Sequence, residues 1–325
     1  MSDPAVATPS TPTAWVPDDL LRPLAVIAAT QTYPDKDVTA QVAAHAARVT
    51  EIPPQRVYEL LTPPICSKVP HLVLQWMRQT GLLVHVLPEL DATVAFSQEA
   101  DRKHKDVWEH TKAVVWQAVP RPTVRWAAVL HDIGKVPTRR FGKDGKVTFH
   151  GHAEEGVRMF RRGPVKRIGF PDAVRQDVEL LILHHLRPGQ YDGSWTDTAV
   201  RRFHREMEPI LRDLLDLSRA DVTSKRPGKR MRCLRQISEL GKRMRALAEL
   251  DARKQPLPPG LGNLIMAALA LPPGKHIGVL RTKLEALYEA GEIEGGKDAE
   301  YYVEQVRSRG LLDGVDIVPP RGVPR

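Results

Sequence analysis

Apolar side chains recur at helical spacing along most of this chain, and prolines separate one apolar segment from the next. Between residues 20 and 90 the prolines that mark breaks are Pro34, Pro53, Pro54, Pro63, Pro64 and Pro70. One apolar face is formed by Val42, Ala46 and Val49, and a second by Val73, Leu74, Met77 and Leu82. Three- and four-residue spacings of this kind are typical of amphipathic helices. The pattern therefore predicts a series of short helices in this region.

The second half of the chain follows the same helical pattern with one exception. Residues 141–149 contain Asp144 and Gly145, a pair that favours a tight turn between two short extended pieces. A long helix is predicted from about Met231 to Ala252, followed by a linker at residues 256–259 and a small helical tail. We therefore predict an all-α, multi-helix fold with at most one short hairpin.

These patterns also predict the domain organisation. Residues 1–20, rich in Pro, Ala, Thr and Ser, are expected to be a disordered leader. A helical neck-like region is expected at 21–100, a central domain with its following helix at 101–255, a helical tail at 256–315 and a loose C-terminus at 316–325.

Composition narrows the kind of protein and its partners. Among 325 residues, 42% are hydrophobic, which is ample for a core, and the formal net charge is +9. The positive charge favours an anionic partner such as nucleic acid or a phosphorylated substrate, although liberal use of arginine would give the same value. The only cysteines, Cys66 and Cys233, cannot make a disulfide framework. Together with the lack of a long apolar stretch or an export signal, they predict a cytoplasmic protein without a membrane span.

The strongest candidate chemistry lies where the apolar run 126–130 ends. This run predicts a helix buried on most of its surface, and His131 and Asp132 follow it directly. An imidazole and a carboxylate in an apolar setting need partners, and a divalent metal would satisfy both. Gly134 can end the helix, and Lys135 could hold a phosphate oxygen or simply cap the helix.

Further metal-ligand candidates occupy the ends or inner faces of other predicted helices. His110 shares a face with Val107 and Val114 in a helix opened by Asp106 and Glu109, a pair that resembles a capping box. The remaining candidates precede or close apolar segments; they are His150, His152, His184, His185 and Asp221.

The order of these residues resembles that of the HD-domain metal-dependent phosphohydrolases. The segments 106–110, 127–135, 150–152, 184–188 and 219–221 resemble the HD-containing half of bacterial CCA-adding enzymes and poly(A) polymerases. Residues 54–61 and 81–90 resemble the helical neck of that family, and residues 261–266 and 271–278 resemble its helical tail. The resemblance covers about residues 35–310.

One departure from the family concerns its N-terminal nucleotidyltransferase head. That head needs a Gly-Ser turn and a metal-binding Asp-x-Asp motif on a mixed sheet. Residues 1–34 are too few to hold it, and Asp35 and Asp37 match the motif by letter only. The expectation from the sequence is a headless relative that retains the neck, the HD domain and the tail and has lost nucleotide addition.

The expected centre holds two divalent ions. One is expected at His110, His131, Asp132 and Asp221, and a second at Asp132, His152 and His184, with His185 as the substitute for His184. Asp132 is the expected bridge because its two oxygens can bind two ions. The nitrogen and oxygen donors suit Mn, Fe, Co, Ni, Zn or Mg. The alternative is that these histidines are satisfied within an ordinary core.

The resemblance implies hydrolysis of phosphoesters in nucleotides or RNA 3′ ends, including tRNA. The candidate reactions are those of a 2′,3′-cyclic phosphodiesterase, a 2′-nucleotidase or a phosphatase. The catalytic candidates are His131, Asp132 and Lys135, and the substrate-binding candidates are His150, Arg187, Lys225 and Arg226. His150 could serve only the turn, and the basic run beginning at Lys225 could be a solvated face.

Two other functions remain open from the sequence. The chain could be a tRNA-binding module with a vestigial metal site, in which case ligands should be missing, or an oxygenase built on the same ligands. Trp108 and Trp116, which flank His110 on its helix, are expected to lie in the core.

Overall fold

A computed structural model describes residues 16–99, 106–141, 147–224, 226–253 and 257–317 of the chain. The fold divides into two compact units, residues 1–243 and residues 244–325. Almost all regular structure is helical, with one two-stranded sheet among the described residues. The all-α prediction with a single short hairpin is therefore confirmed.

The neck region consists of short helices packed around an apolar core. Its helices are α1 (Arg22–Thr30), α2 (Lys36–His45), α3 (Pro54–Ile65), α4 (Pro70–Gln79), α5 (Leu82–Val86) and α6 (Pro88–Glu99), with 3-10 turns at Pro17–Leu20 and Ala46–Glu51. Both predicted apolar faces are buried; Val42, Val73 and Leu74 have no exposed surface. Leu20 is also buried, so residues 17–20 belong to the folded unit and not to a disordered leader. Residues 1–15 lie outside the described residues.

Prolines begin several of these helices, as the pattern of breaks predicted. Pro54, Pro70 and Pro88 occupy the first helical position, where a missing amide hydrogen costs nothing. The pair Pro63 and Pro64 differs, because both lie inside the last turn of α3 and not between two helices. The helix ends at Ile65, one residue after the pair.

The central region surrounds one helix that is buried from its third residue onward. Its helices are α7 (Val107–Gln117), α8 (Pro122–Leu130), α9 (Lys135–Thr138), α10 (His152–Arg162), α11 (Pro164–Arg167), α12 (Asp172–His184), α13 (Asp197–Met207), α14 (Leu211–Asp221) and α15 (Pro227–Arg253), with 3-10 turns at Pro188–Gln190 and Glu208–Ile210. Helix α8 packs against α7, α12 and α14. Every residue from Val124 to Leu130 is buried, as the apolar run predicted.

The predicted hairpin is present but short. Strand β1 (Arg140–Phe141) pairs antiparallel with β2 (Val147–Thr148), and Arg140 lies opposite Thr148. The turn assigned to Asp144 and Gly145 lies outside the described residues. The hairpin connects α9 to α10 and so joins two parts of the candidate site.

The second unit has a core of its own. Helices α16 (Leu261–Leu269), α17 (Lys275–Glu289) and α18 (Ala299–Ser308) enclose a cluster that includes Ile265, Leu280, Leu284 and Tyr302. The long helix α15 starts at Pro227, four residues before the predicted Met231, and contributes residues to both units. In the part of the chain that the structure describes, no helix is both long enough and apolar enough to cross a membrane.

Candidate metal centre

Helix α7 presents His110 to the centre of the first unit. The Asp106 carboxylate accepts a hydrogen bond of 3.0 Å from the amide of Glu109 and thereby caps the helix. Val107 and Val114 are buried on the same face, and the side chain of His110 is only 7% exposed. The predicted helix cap at Asp106 and the predicted inward-facing side of α7 therefore determine the position of the His110 imidazole.

The turn after α8 places His131 and Asp132, and Gly134 allows that turn to lie against α10. A Cβ atom at Gly134 would lie 2.1 Å from the carbonyl oxygen of His152 and 2.6 Å from the amide nitrogen of Gly156. The prediction that Gly134 could end the helix is wrong, because α8 ends earlier, at Leu130, and the φ of Gly134 is −69°. Its role is to leave space, which brings His152 close to Asp132.

Four side chains meet at the first group of ligands. The Nε2 atoms of His110 and His131 lie 3.4 Å and 3.2 Å from Oδ2 of Asp132. Oδ1 of Asp221 lies 2.9 Å from Nε2 of His110 and 3.7 Å from Nε2 of His131. The structure therefore brings together all four residues expected for the first ion.

The second group of ligands shares Asp132 with the first. Oδ1 of Asp132 lies 3.5 Å from Nε2 of His152 and 3.9 Å from Nε2 of His185. Within each group, His110–His131–Asp132 and Asp132–His152–His185, the candidate ligand atoms lie within 4.8 Å of one another. The sequence analysis preferred His184 here; the structure places His185 in the group instead.

The backbone fixes which nitrogen each imidazole turns inward. The Nδ1 atoms of His131, His152 and His185 lie 2.9, 2.8 and 2.7 Å from the carbonyl oxygens of Ala128, Phe149 and Ile182. A carbonyl oxygen only accepts, so Nδ1 carries the hydrogen and, in a neutral ring, Nε2 carries the lone pair. Nε2 of His152 then faces Nε2 of His185 at 3.3 Å, an arrangement that a shared cation stabilises.

The charges within this centre favour metal binding. Burial lowers the pKa of His185 to about 4 and also lowers the pKa of His152, so both rings are neutral near pH 7. Burial by itself would raise the pKa of Asp132, but the nearby His131 and Lys135 outweigh it and hold that pKa well below the usual range. Burial by itself would lower the pKa of His131 too, but Asp132 and Asp221 outweigh it and raise that pKa, so a metal at His131 competes with a proton. Neutral His152 and His185 beside the ionised Asp132 are already in the protonation states that metal binding requires.

The donor set fits divalent ions. Oδ2 of Asp132 accepts a hydrogen bond of 2.6 Å from Nζ of Lys135, whereas Oδ1 is buried and has no hydrogen-bond partner among the described residues. A buried carboxylate oxygen without a partner is costly unless a cation binds it. Imidazole nitrogens and carboxylate oxygens are ligands for Mn, Fe, Co, Ni, Zn and Mg. The residues present could therefore hold two ions that share Asp132.

Two of the four expected substrate-binding residues, His150 and Arg187, lie beside this centre. His150, His184 and Arg187 line an open cavity of about 670 Å³ that also includes His152. The guanidinium of Arg187 is 2.7 Å from Oε2 of Glu206 and lies over the Phe203 ring at 5.2 Å, so it is held in place. His184 thus faces this cavity and not the ligand group.

The other two expected substrate-binding residues are not among the described residues that line this cavity. Arg226 is exposed, and Lys225 is outside the described residues. Trp108 is buried as expected, but Trp116 is 59% exposed, so the prediction of a core position for Trp116 is wrong. Trp116 lies near the C-terminal end of α7, and among the described residues the aromatic ring that its indole contacts is that of His71. The sequence analysis also missed Thr223, whose hydroxyl lies 2.8 Å from Nδ1 of His110.

Comparison with protein families identifies the class of domain that holds this centre. Residues 105–226 match the model of the HD domain, so the chain contains an HD domain. Residues 34–93 match a second model, described as the probable RNA and SrmB-binding site of polymerase A. The predicted neck and HD domain are therefore confirmed.

Known relatives of this chain are bacterial tRNA nucleotidyltransferases. It is 31% identical over 234 residues to the A-adding tRNA nucleotidyltransferase of Deinococcus radiodurans, a match covering 69% of this chain and 52% of the relative. It is 32% identical over 260 residues to the CC-adding tRNA nucleotidyltransferase of Thermus thermophilus, covering 77% of this chain and 56% of the relative. The chain thus spans about half the length of these curated relatives.

Proposed function

We propose that this chain is a metal-dependent phosphohydrolase that acts on phosphoesters of nucleotides or RNA 3′ ends. The candidate reactions are those of a 2′,3′-cyclic phosphodiesterase, a 2′-nucleotidase or a phosphatase. The observation that carries the proposal is the pair of ligand groups that share Asp132, whose buried Oδ1 has no partner in the described part of the chain. The match to the HD domain supports the same class of substrate. The formal net charge of +9 also supports it, because a positively charged chain favours an anionic partner.

Divalent ions bound by these ligands would polarise the phosphoryl oxygens and supply a water of lowered pKa as the nucleophile. The protein residues then have separate roles. Asp132 holds the two ligand groups together, and Lys135 fixes one of its oxygens through the 2.6 Å hydrogen bond. Lys135 is therefore better suited to positioning Asp132 than to holding a phosphate.

The cavity beside His152 supplies groups for the substrate. Arg187 carries a permanent positive charge, and its contacts with Glu206 and Phe203 hold it at the cavity wall. His150 and His184 line the same cavity and can donate hydrogen bonds to phosphoryl oxygens. A phosphate that contacts Arg187 there lies next to the His152 ligand.

The test is a screen of the purified chain against divalent metals and phosphoesters, with Asp132→Ala as the decisive variant. Cyclic nucleotides, nucleoside monophosphates and a model phosphatase substrate are the substrates. Asp132→Ala should reduce hydrolysis to background, because both ligand groups lose their shared carboxylate, while the apo protein stays folded and still melts in one cooperative step. Asp172→Ala removes a carboxylate that is 88% exposed and should hydrolyse normally. Hydrolysis by Asp132→Ala at nearly the wild-type rate would exclude this centre from the reaction.

RNA binding is a second candidate function, favoured by the match of the neck and by the exposed Trp116. Helix α7 also contacts the basic stretch after Asp221, since the guanidinium of Arg230 donates a 2.9 Å hydrogen bond to the side chain of Gln117. Exposed aromatic rings beside cations are typical of single-stranded RNA sites.

If RNA binds here through its phosphates, affinity should fall steeply as the salt concentration rises. Charge reversal at Arg226, Lys229 and Arg230 should weaken binding and flatten the salt dependence, as measured by fluorescence anisotropy. Binding that depends neither on the salt concentration nor on these substitutions would indicate that RNA binds elsewhere.

A further inference from the structure

A second cavity lies beside the candidate metal ligands, and Arg187 is not among its lining residues. Its volume is about 370 Å³, and His185 and Asp221, one residue from each ligand group, form part of its wall. The rest of the wall comes from the turn Pro188–Gln190, the end of α14 and the first turns of α15. A molecule in this cavity would therefore contact the centre directly.

We infer that this cavity binds the nucleobase of a nucleotide substrate whose phosphate lies at the metal ligands. The inference rests on the proposed phosphohydrolase function and specifies its substrate class. The volume falls within the range of small-molecule sites, about 300–1,000 Å³. The inference predicts that the chain binds nucleotides in preference to phosphoesters that have no base.

The wall of the cavity suits an uncharged, flat group. Leu186, Val222 and Ile237 supply aliphatic surface, and Tyr191 adds an aromatic side chain that is 1% exposed. Among the described residues, no lysine or arginine lines this cavity, whereas Arg187 lines the other one. A phosphate is therefore favoured on the Arg187 side and a base on the Ile237 side.

One polar side chain in this wall can recognise a base edge. The amide of Gln236 has no hydrogen-bond partner within the described part of the chain, so its donors and its acceptor are both available. Base edges present donors and acceptors side by side, which a glutamine amide can pair with. The hydroxyl of Ser218, in contrast, already donates to the carbonyl oxygen of His185 at 3.3 Å.

The two cavities share part of their walls. Leu186 and Gln190 line both of them, and the segment 184–190 thus separates the Arg187 side from the Ile237 side. A nucleotide can lie across this segment with its phosphate near His152 and Arg187 and its base against Ile237. This placement uses ligand residues and cavity walls from a single compact unit.

Cys233 provides a direct probe of occupancy. It is half-buried in the wall of the cavity, and the other cysteine, Cys66, lies in the neck at the end of α3. The experiment measures alkylation of both cysteines of the full chain by iodoacetamide, with peptide mapping by mass spectrometry. AMP, CMP, ribose 5-phosphate and inorganic phosphate are titrated in turn, with and without added Mn²⁺.

AMP or CMP should slow the alkylation of Cys233 several-fold and leave Cys66 unchanged, while ribose 5-phosphate and inorganic phosphate should have little effect. Equal alkylation of Cys233 across every nucleotide titration would overturn the inference, as would equal protection by inorganic phosphate.

A second measurement keeps the inference testable if Cys233 reacts too slowly to follow. Gln236→Leu removes one pair of hydrogen bonds to the base and should lower the ratio of kcat/KM for AMP to that for ribose 5-phosphate by about three- to tenfold. The control, Gln41→Leu, changes an exposed glutamine of α2 and should leave the ratio unchanged. An unchanged ratio in Gln236→Leu counts against base recognition.

The two proposals fail in different ways. If the chain hydrolyses phosphoesters but nucleotides neither protect Cys233 nor depend on Gln236, the base-binding inference fails and the phosphohydrolase function stands. If nucleotides protect Cys233 but no phosphoester is hydrolysed with any metal, the proposed function fails and the cavity remains a nucleotide site.

Discussion

Gly134→Ala tests whether close packing of the turn after α8 is what assembles the metal centre. The added Cβ would lie 2.1 Å from the carbonyl oxygen of His152, against 3.4–4 Å for an ordinary contact, so one backbone segment must move by about an ångström. Both opposing atoms belong to the backbone of α10, so no change of side-chain rotamer can relieve the overlap. Overpacking of this kind costs about 1–3 kcal/mol of unfolding free energy.

The displacement should affect the ligands more than the fold. Metal–ligand distances tolerate changes of only about 0.2 Å, so an ångström between His152 and Asp132 should disrupt the second ligand group. We expect Gly134→Ala to melt several degrees lower without metal and to bind metal at least tenfold more weakly. Thermal melting of the apo protein and isothermal titration with Mn²⁺ measure the two effects separately.

The matched control is Gly228→Ala at the first turn of α15. A Cβ there meets no atom within 4 Å, and neither Gly228 nor Gly134 has a positive φ. Alanine at Gly228 should be neutral or stabilise the protein by up to about 1 kcal/mol through the unfolded chain. If Gly134→Ala melts and binds metal as Gly228→Ala does, the packing argument is refuted.

Three further predictions concern the ligands and the core around them. His185→Ala should lower the stoichiometry of metal binding measured by titration, whereas His184→Ala should leave it unchanged and affect only phosphoester turnover; the opposite result would restore His184 as the ligand. Arg125→Met should lower the unfolding free energy in urea by about 2–4 kcal/mol, because the buried guanidinium donates to the carbonyl oxygens of Val115 and Val119 and both would lose their partner. Metal at a hundredfold excess over its Kd should raise the unfolding free energy by about 2.7 kcal/mol, and EDTA should reverse this gain. A melting temperature that changes with neither metal nor EDTA would argue against metal binding to the native state.

Local patterns were sufficient to predict several helix starts and to indicate most of the candidate ligands. The capping residue Asp106, the apolar run of α8 and the prolines that begin α3 and α4 all act over a few residues, so the sequence reveals them directly. The same holds for His110, whose inward face follows from its spacing to Val107 and Val114. For His110, helical periodicity alone predicts that the side chain faces inward.

The choice between His184 and His185 was missed, although a signal was present. Both histidines follow an apolar run, and the run alone does not separate them. Val178, Leu181 and Ile182 have no exposed surface, while Leu180 is 36% exposed. His185 continues the buried face at seven, four and three residues after these positions, whereas His184 lies beside it. The helical spacing of Val178, Leu181 and His185, and not the composition of the run, favours His185 as the candidate ligand.

Features that depend on distant parts of the chain were not predictable in the same way. The space that Gly134 leaves depends on the path of α10, and the contact of His110 with Thr223 joins residues that are 113 positions apart. The exposure of Trp116 depends on which helices pack against the end of α7. Tertiary packing decides these outcomes, and local propensity carries no information about them.

The hydrogen bonds from Nδ1 of the histidines have a consequence for how the centre assembles. In His131, His152 and His185 the acceptor is the carbonyl of the residue three positions earlier, so the chain segment that carries each ring also sets its tautomer and its direction. Each ring therefore takes its orientation from its own chain segment, and no other element has to supply the acceptor. A substitution in another element should leave the direction of the ring unchanged as long as the segment itself keeps its local fold.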